Sequence, residues 1–204
     1  SEQEEGETVD ALASAGPWSL LLVNASHRLS QEVDAQLEEV ENGFLFDSRA
    51  APALRRLLAD ARAAGHDVML ISTHRSFARS ERNYNNKVAE LMGQGYSQAD
   101  AEAEAARWIA PPGQSEHNTG LAVDLVTTGY WNKYAELEHA FEEDPLFGWM
   151  MEHCADYGFI LRFPKDKQEI TGITYEPWHY RYVGVEAAKE IMEQGLCREE
   201  YLAG

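Results

Sequence analysis

The apolar residues of this chain change period many times, and never in the regular strand–helix–strand order that builds a parallel sheet. Short apolar runs at Trp18–Val23, Val68–Ile71, Leu121–Val126 and Phe159–Phe163 read as strands, and Trp178–Val183 alternates aromatic with polar residues as a strand does. Between them lie helical spacings. Leu54, Leu57, Leu58 and Ala61 form one, with Gly65 where a C-terminal cap belongs. Tyr84, Val88, Leu91 and Met92 form a second that stops near Gly93. Ser97 and Asp100 fit a capping-box start for a third, running to about Ile109 and ended by Pro111-Pro112-Gly113. Pro145–Tyr157 forms a fourth, with Phe147, Met150, Met151 and Cys154 inward and Gly158 as its cap, and Val185–Gln194 closes the chain, ending at Gly195. This mixture predicts an α+β fold, a single domain over residues 17–204 whose antiparallel sheet is flanked by helices, with several hairpin-connected strands.

A chain of 204 residues is long enough for one real core. Residues 1–16 stand apart: Glu2, Glu4, Glu5, Glu7 and Asp10 among Ser, Ala and Gly read as a disordered acidic linker, or as the stretch that follows a secretion signal. No apolar run approaches the ~20 residues of a membrane helix. Seventeen Lys and Arg against thirty-five Asp and Glu give a net charge of −18, which repels nucleic-acid phosphates and anionic membranes alike and otherwise serves solubility. The two cysteines, Cys154 and Cys197, form no CxxC, so they point to neither a thiolate metal site nor a disulfide scaffold. No partner protein is implied, and a monomer is expected.

The chemistry concentrates in two segments. The first is Ser115-Glu116-His117-Asn118-Thr119-Gly120-Leu121-Ala122-Val123-Asp124, which sets an imidazole and a carboxylate seven positions apart. On a regular strand that odd separation would point them to opposite faces; Gly120 can supply the irregular backbone that brings them together. The second is Glu176-Pro177-Trp178-His179-Tyr180-Arg181. Here Trp178, Tyr180 and Tyr182 share one face of a strand, His179 and Arg181 share the other, and Pro177 interrupts pairing so that Glu176 can be aimed at the space His179 faces.

Two imidazoles and one carboxylate, from His117, Asp124 and His179, make a three-ligand zinc set with a fourth position open for water, the layout of a catalytic site. A carboxylate that is not a ligand is then needed to take the water's proton and pass it to a leaving amine, and Glu176 fits. An isolated ExxH occurs often by chance. The weight lies in SxHxxGxAxD followed, 52 residues after its Asp, by ExxH within an aromatic strand. His27, His66, His139 and His153 lack such company and read as bystanders.

These segments resemble the VanY-type D-alanyl-D-alanine carboxypeptidases, part of a wider zinc peptidase group that includes lysostaphin-like enzymes and the hedgehog signalling domain. The similarity runs over roughly residues 17–200 and includes WSLLLVN, STHRS, PPGQSEHNTGLAVDL, YGFILRFP and EPWHYRYVG. It implies a hedgehog/DD-peptidase-like fold, one Zn2+ on His117, Asp124 and His179, Glu176 as general base, Arg75 as the residue that meets substrate, and action on peptidoglycan stem peptides outside the cytoplasm, in the cell envelope. A guanidinium at Arg75 can grip a C-terminal carboxylate bidentately and can stabilise the tetrahedral oxyanion. Ser115 is a candidate second donor to substrate, or a local turn residue, and Trp178 a candidate wall of the site. The chain departs from the family at His74, Phe77 and Ser80, in the segment around Arg75. Cleavage after a D-centre is favoured, with an L,D-carboxypeptidase as runner-up and a zinc endopeptidase behind it. A zinc-binding interaction domain would lack the base that Glu176 provides, and the absence of SxxK and GxSxG argues against a serine nucleophile.

Overall fold

The computed structural model describes residues 9–11 and 17–204. In chain order these form β1 (Val9–Asp10), β2 (His27–Arg28), β3 (Leu37–Glu41), β4 (Phe44–Asp47), α1 (Ala51–Ala63), β5 (Val68–Ser72), α2 (Phe77–Gly93) and α3 (Gln98–Trp108). They continue with β6 (Ala122–Thr127), α4 (Thr128–Tyr134), α5 (Pro145–His153), β7 (Phe159–Leu161), α6 (Gln168–Thr171), β8 (His179–Tyr182), α7 (Val185–Gln194) and α8 (Arg198–Ala203). The architecture is α+β. The chain divides into two compact units that interleave in sequence: one takes the described residues up to Asp34 together with Arg75–Thr119, the other takes Ala35–His74 and Gly120–Gly204.

The first unit is built on the helical pair α2 and α3. Ser76 and Ser97 cap them, each accepting a hydrogen bond from the amide three residues on, Arg79 and Asp100 respectively. Leu91, Ala101 and Ala105 are buried where the pair meets, with Tyr84 and Val88 packed against them. β1 and β2 pair in parallel. Part of the acidic leading segment therefore has structure, and Ala11 is buried with Leu21, Val23 and Leu29; the rest of residues 1–16 lies outside the described residues. Trp18–Val23 is not a strand. Trp18–Leu20 is a 3-10 turn, and the apolar run is spent on burying Leu21 and Val23 in that small cluster.

The second unit holds a four-stranded antiparallel sheet in the order β5-β6-β8-β7. β6 is buried along its whole length. Helix α1 packs on β5 and β3, and α7 packs on β7. Leu54, Leu57, Leu58 and Ala61 are the buried stripe of α1, at the spacing read from the sequence. The fourth helical segment divides: Pro145–His153 is α-helical, Cys154–Tyr157 tightens to 3-10, and Gly158 follows at φ +85°. Leu146, Met150 and Cys154 are its buried row, while Phe147 and Met151 are half-buried. Cys154 and Cys197 are free thiols, both fully buried, and burial pushes the Cys154 thiol up to about 12. Sequence reading overlooks the hairpin β3–β4, whose Asn42-Gly43 turn has φ of 50° and 79°. No helix among the described residues is long and apolar enough to cross a membrane.

Candidate active site

Antiparallel pairing of β6 with β8 sets Asp124 directly opposite His179, so the two side chains leave the sheet on the same face. His179 Nδ1 lies 2.7 Å from Asp124 Oδ1, and both residues are nearly closed to solvent. Glu176 sits just ahead of β8. Its amide donates to the Phe163 carbonyl at 3.1 Å, and its carbonyl accepts from the His179 amide at 3.2 Å. Pro177, which cannot donate to a ladder, is held instead through its carbonyl by the buried Tyr180 hydroxyl at 2.7 Å. Glu176 Oε2 lies 3.8 Å from His179 Nδ1, and the Glu176 side chain is 24% exposed against 4% for His179. It is thus a carboxylate beside the histidine but more open than it, able to exchange a proton with water.

His117 lies in the 3-10 turn Glu116–Thr119 of the first unit. The Arg75 amide donates to the His117 carbonyl at 2.9 Å. Asn118 Nδ2 donates to the Arg75 carbonyl at 2.8 Å and to Ser80 Oγ at 2.9 Å, while Asn118 Oδ1 accepts from the Gly113 amide at 3.2 Å. The fully buried Asn118 therefore ties the Arg75 and Gly113 backbone and the Ser80 hydroxyl together and fixes Arg75 beside the turn that carries His117. Sequence reading misses this residue; the only signal is a short amide side chain, with two donors and an acceptor, next to a histidine that could hold a metal. Ser115 Oγ accepts from the His117 amide at 3.3 Å, the arrangement of a local turn residue. Trp178 is half-buried, and its carbonyl accepts from the Leu125 amide.

Between the turn and β6 stands Gly120, at φ +76°. A Cβ there would come within 3.0 Å of Leu37 Cδ2 and 3.3 Å of the Asp47 backbone nitrogen, whose proton goes to the Gly120 carbonyl. The strand alternation expected from the sequence does not apply between His117 and Asp124, because His117 lies in a 3-10 turn and β6 begins only at Ala122, with the left-handed Gly120 between them. Gly120→Ala is expected to lower stability by about 1–2 kcal/mol from its backbone conformation alone, read as a drop in the denaturation midpoint. An unchanged midpoint would show that this backbone can relax away from the left-handed region.

His117, Asp124 and His179 each present one ligand atom, and those atoms all lie within 4.8 Å of one another. All three side chains are buried. Two imidazole nitrogens and one carboxylate oxygen, converging and shielded from water, suit a divalent metal of zinc's type. The other histidines do not join this group. His27 bonds Asn24, His66 and His153 lie against the Trp149 ring, and His139 lies against Tyr175. The His74 amide donates to the Leu45 carbonyl.

A family model described as VanY, D-alanyl-D-alanine carboxypeptidase, matches residues 44–185. A D-alanyl-D-alanine carboxypeptidase of Enterococcus faecalis (strain ATCC 700802 / V583) is 44% identical over 185 residues, covering 91% of this chain and 66% of that protein. The chain thus spans just under two thirds of that relative's length. Among solved structures, VanYB in complex with D-alanine-D-alanine is similar with a TM-score of 0.79 at 44% identity, over 91% of this chain and 98% of that one. A glutamate-to-alanine mutant of the vancomycin resistance D,D-pentapeptidase VanY from a VanB-type resistance cassette, in complex with Zn(II), is similar with a TM-score of 0.77 at 43% identity, over 91% of this chain and 99% of that one.

Proposed function

Because the chain belongs to the VanY D-alanyl-D-alanine carboxypeptidase family, we propose that it is a zinc metallocarboxypeptidase that removes the terminal D-Ala from peptidoglycan stem peptides ending in D-Ala-D-Ala. The observation that carries the reading is the buried convergence of His117, Asp124 and His179, with a further carboxylate, Glu176, 3.8 Å from His179. Zinc suits this donor set, and a relative of 43% identity is a Zn(II) complex. Zinc bound by three protein ligands supplies Lewis acidity, acidifying water and polarising the carbonyl of the scissile bond.

The chain's own residues do the rest. Glu176 takes a proton from the attacking water and returns it to the leaving amine of the terminal D-Ala. Its partial exposure lets it reach water while its backbone is fixed at both ends. Arg75 grips the substrate's free carboxylate with its planar fork, and Asn118 sets the position of that arginine through the Arg75 carbonyl. Ser115 and Trp178 complete the substrate's surroundings. Such a reaction takes place outside the cytoplasm, where the peptide is.

The runner-up is an L,D-carboxypeptidase acting on the tetrapeptide, with an endopeptidase behind it. The departures at His74, Phe77 and Ser80 are what favour the runner-up. Two of them are spent inside the first unit: Phe77 packs against the cluster of Ala11, Leu21, Val23 and Leu29, and Ser80 is buried with its hydroxyl accepting from Asn118. That leaves the D,D reading the better supported. With the carboxylate pinned and the metal fixed, handedness decides where the last two methyl groups point, and the walls decide which fits. The test offers the enzyme the stem pentapeptide and the tetrapeptide left after one D-Ala is removed, with an amidated pentapeptide alongside. Release of D-Ala from the pentapeptide alone, and poor cleavage of the amide, is the expected result. Rapid loss of D-Ala from the tetrapeptide with an inert pentapeptide reverses the stereochemical assignment, and equal rates on acid and amide favour the endopeptidase.

A further inference from the structure

His179 is held by more than Asp124. The Phe163 ring stacks on its imidazole, with centroids 5.0 Å apart and planes 30° from parallel. The Arg162 guanidinium lies 4.7 Å from the centroid of that same phenyl ring. The Arg162 side chain is completely buried, and its two terminal nitrogens donate to the two carboxylate oxygens of Glu199 at 3.0 and 2.7 Å. The Arg162 amide also donates to the His179 carbonyl at 3.3 Å. Glu199 belongs to the first turn of α8, twenty residues beyond the ligand and outside both sequence motifs.

A buried guanidinium is tolerated only when its charge is matched, so its location calls for a reason. We propose that Glu199, Arg162 and Phe163 are positioning residues for the zinc ligand His179, and that α8 is thereby a working part of the metal site. The proposal rests on the reading of His179 as a ligand. An imidazole that would offer a ring nitrogen to a metal must not turn about its own axis, and a phenyl face stacked on it restricts that turn. The guanidinium holds the phenyl ring by cation–π attraction. Glu199 orients the guanidinium by a two-point pair and cancels its charge, so that no uncompensated cation stands near a site that must accept a dication. Partners of this indirect kind typically govern 10–100-fold in metal affinity.

The experiment measures zinc affinity by chelator competition, thermal unfolding of the metal-free protein, and kcat and KM separately, in the parent and in Phe163→Leu, Phe163→Tyr, Glu199→Gln, Glu200→Gln and His179→Ala. Phe163→Leu and Glu199→Gln are expected to bind zinc roughly 10–100-fold more weakly. Phe163→Tyr, which keeps the ring face, is expected to bind like the parent. Glu200 shares α8 but pairs with Lys167 and with the Cys197 amide, so Glu200→Gln is expected to lower the unfolding midpoint and leave zinc affinity intact. Parental zinc affinity in both Phe163→Leu and Glu199→Gln overturns the proposal. So does an equal loss in Glu200→Gln, which would make the effect one of helix stability. Parental affinity in His179→Ala sinks the ligand assignment itself, a failure distinct from the other two.

Discussion

Stripping zinc with a chelator is expected to abolish release of D-Ala from the pentapeptide, and one equivalent of zinc per chain is expected to restore it. The size of the effect follows from the chemistry asked of the site. Without a metal, the nucleophile is ordinary, very weakly acidic water facing a single carboxylate; zinc on three protein ligands would lower that water's pKa to about 7. The only residues placed to hold such an ion among those described are His117, Asp124 and His179. Each brings an atom that no neighbouring apolar side chain could replace. Elemental analysis should find one zinc per reconstituted chain. The metal also links to stability, because the ligands converge only in the folded protein. Zinc at 1,000 times its dissociation constant should raise folding stability by about 4 kcal/mol, visible as a higher unfolding midpoint. Full activity in metal-free protein, or a midpoint indifferent to zinc, would remove the metal from the mechanism.

How far the sequence reveals this site depends on how local each signal is. Helix ends are legible because their chemistry is short-range: Ser97 caps α3 through Asp100, and α7 closes at Gly195 with φ +64°. The candidate metal group of His117, Asp124 and His179 is legible because zinc chemistry needs those residue types. The hairpin β3–β4 escapes because the acids in Leu37–Glu41 hide its apolar alternation, although Asn42-Gly43 is the turn signal for such a pair. Trp18–Val23 misleads for the opposite reason: a short apolar run states burial without stating conformation. Asn118 is invisible because its role needs Arg75, Ser80 and Gly113, partners set by tertiary structure. The Arg162–Glu199 pair is invisible on the same grounds. The interleaving of the two units, with a boundary between His74 and Arg75, has no local mark at all.

Replacing Glu176 by alanine is expected to leave zinc in place and lower kcat by about 10²–10⁴, the usual contribution of a general base. The two carboxylates of the site differ in position. Asp124 lies on the buried central strand, 2.7 Å from His179 Nδ1, and belongs to the convergent ligand group. Glu176 lies outside that group, 3.8 Å from the same nitrogen, and keeps a share of solvent. Its backbone is held by Phe163 on one side and the His179 amide on the other, so removing the carboxylate should not release the loop. The loss should fall on kcat, since no contact to the substrate's carboxylate is removed. Glu176→Gln, which preserves shape and hydrogen bonding but cannot take up a proton, should behave alike. Zinc content, kcat and KM together decide the matter. Loss of zinc along with activity would make Glu176 a ligand; retention of near-parental kcat would place the base elsewhere.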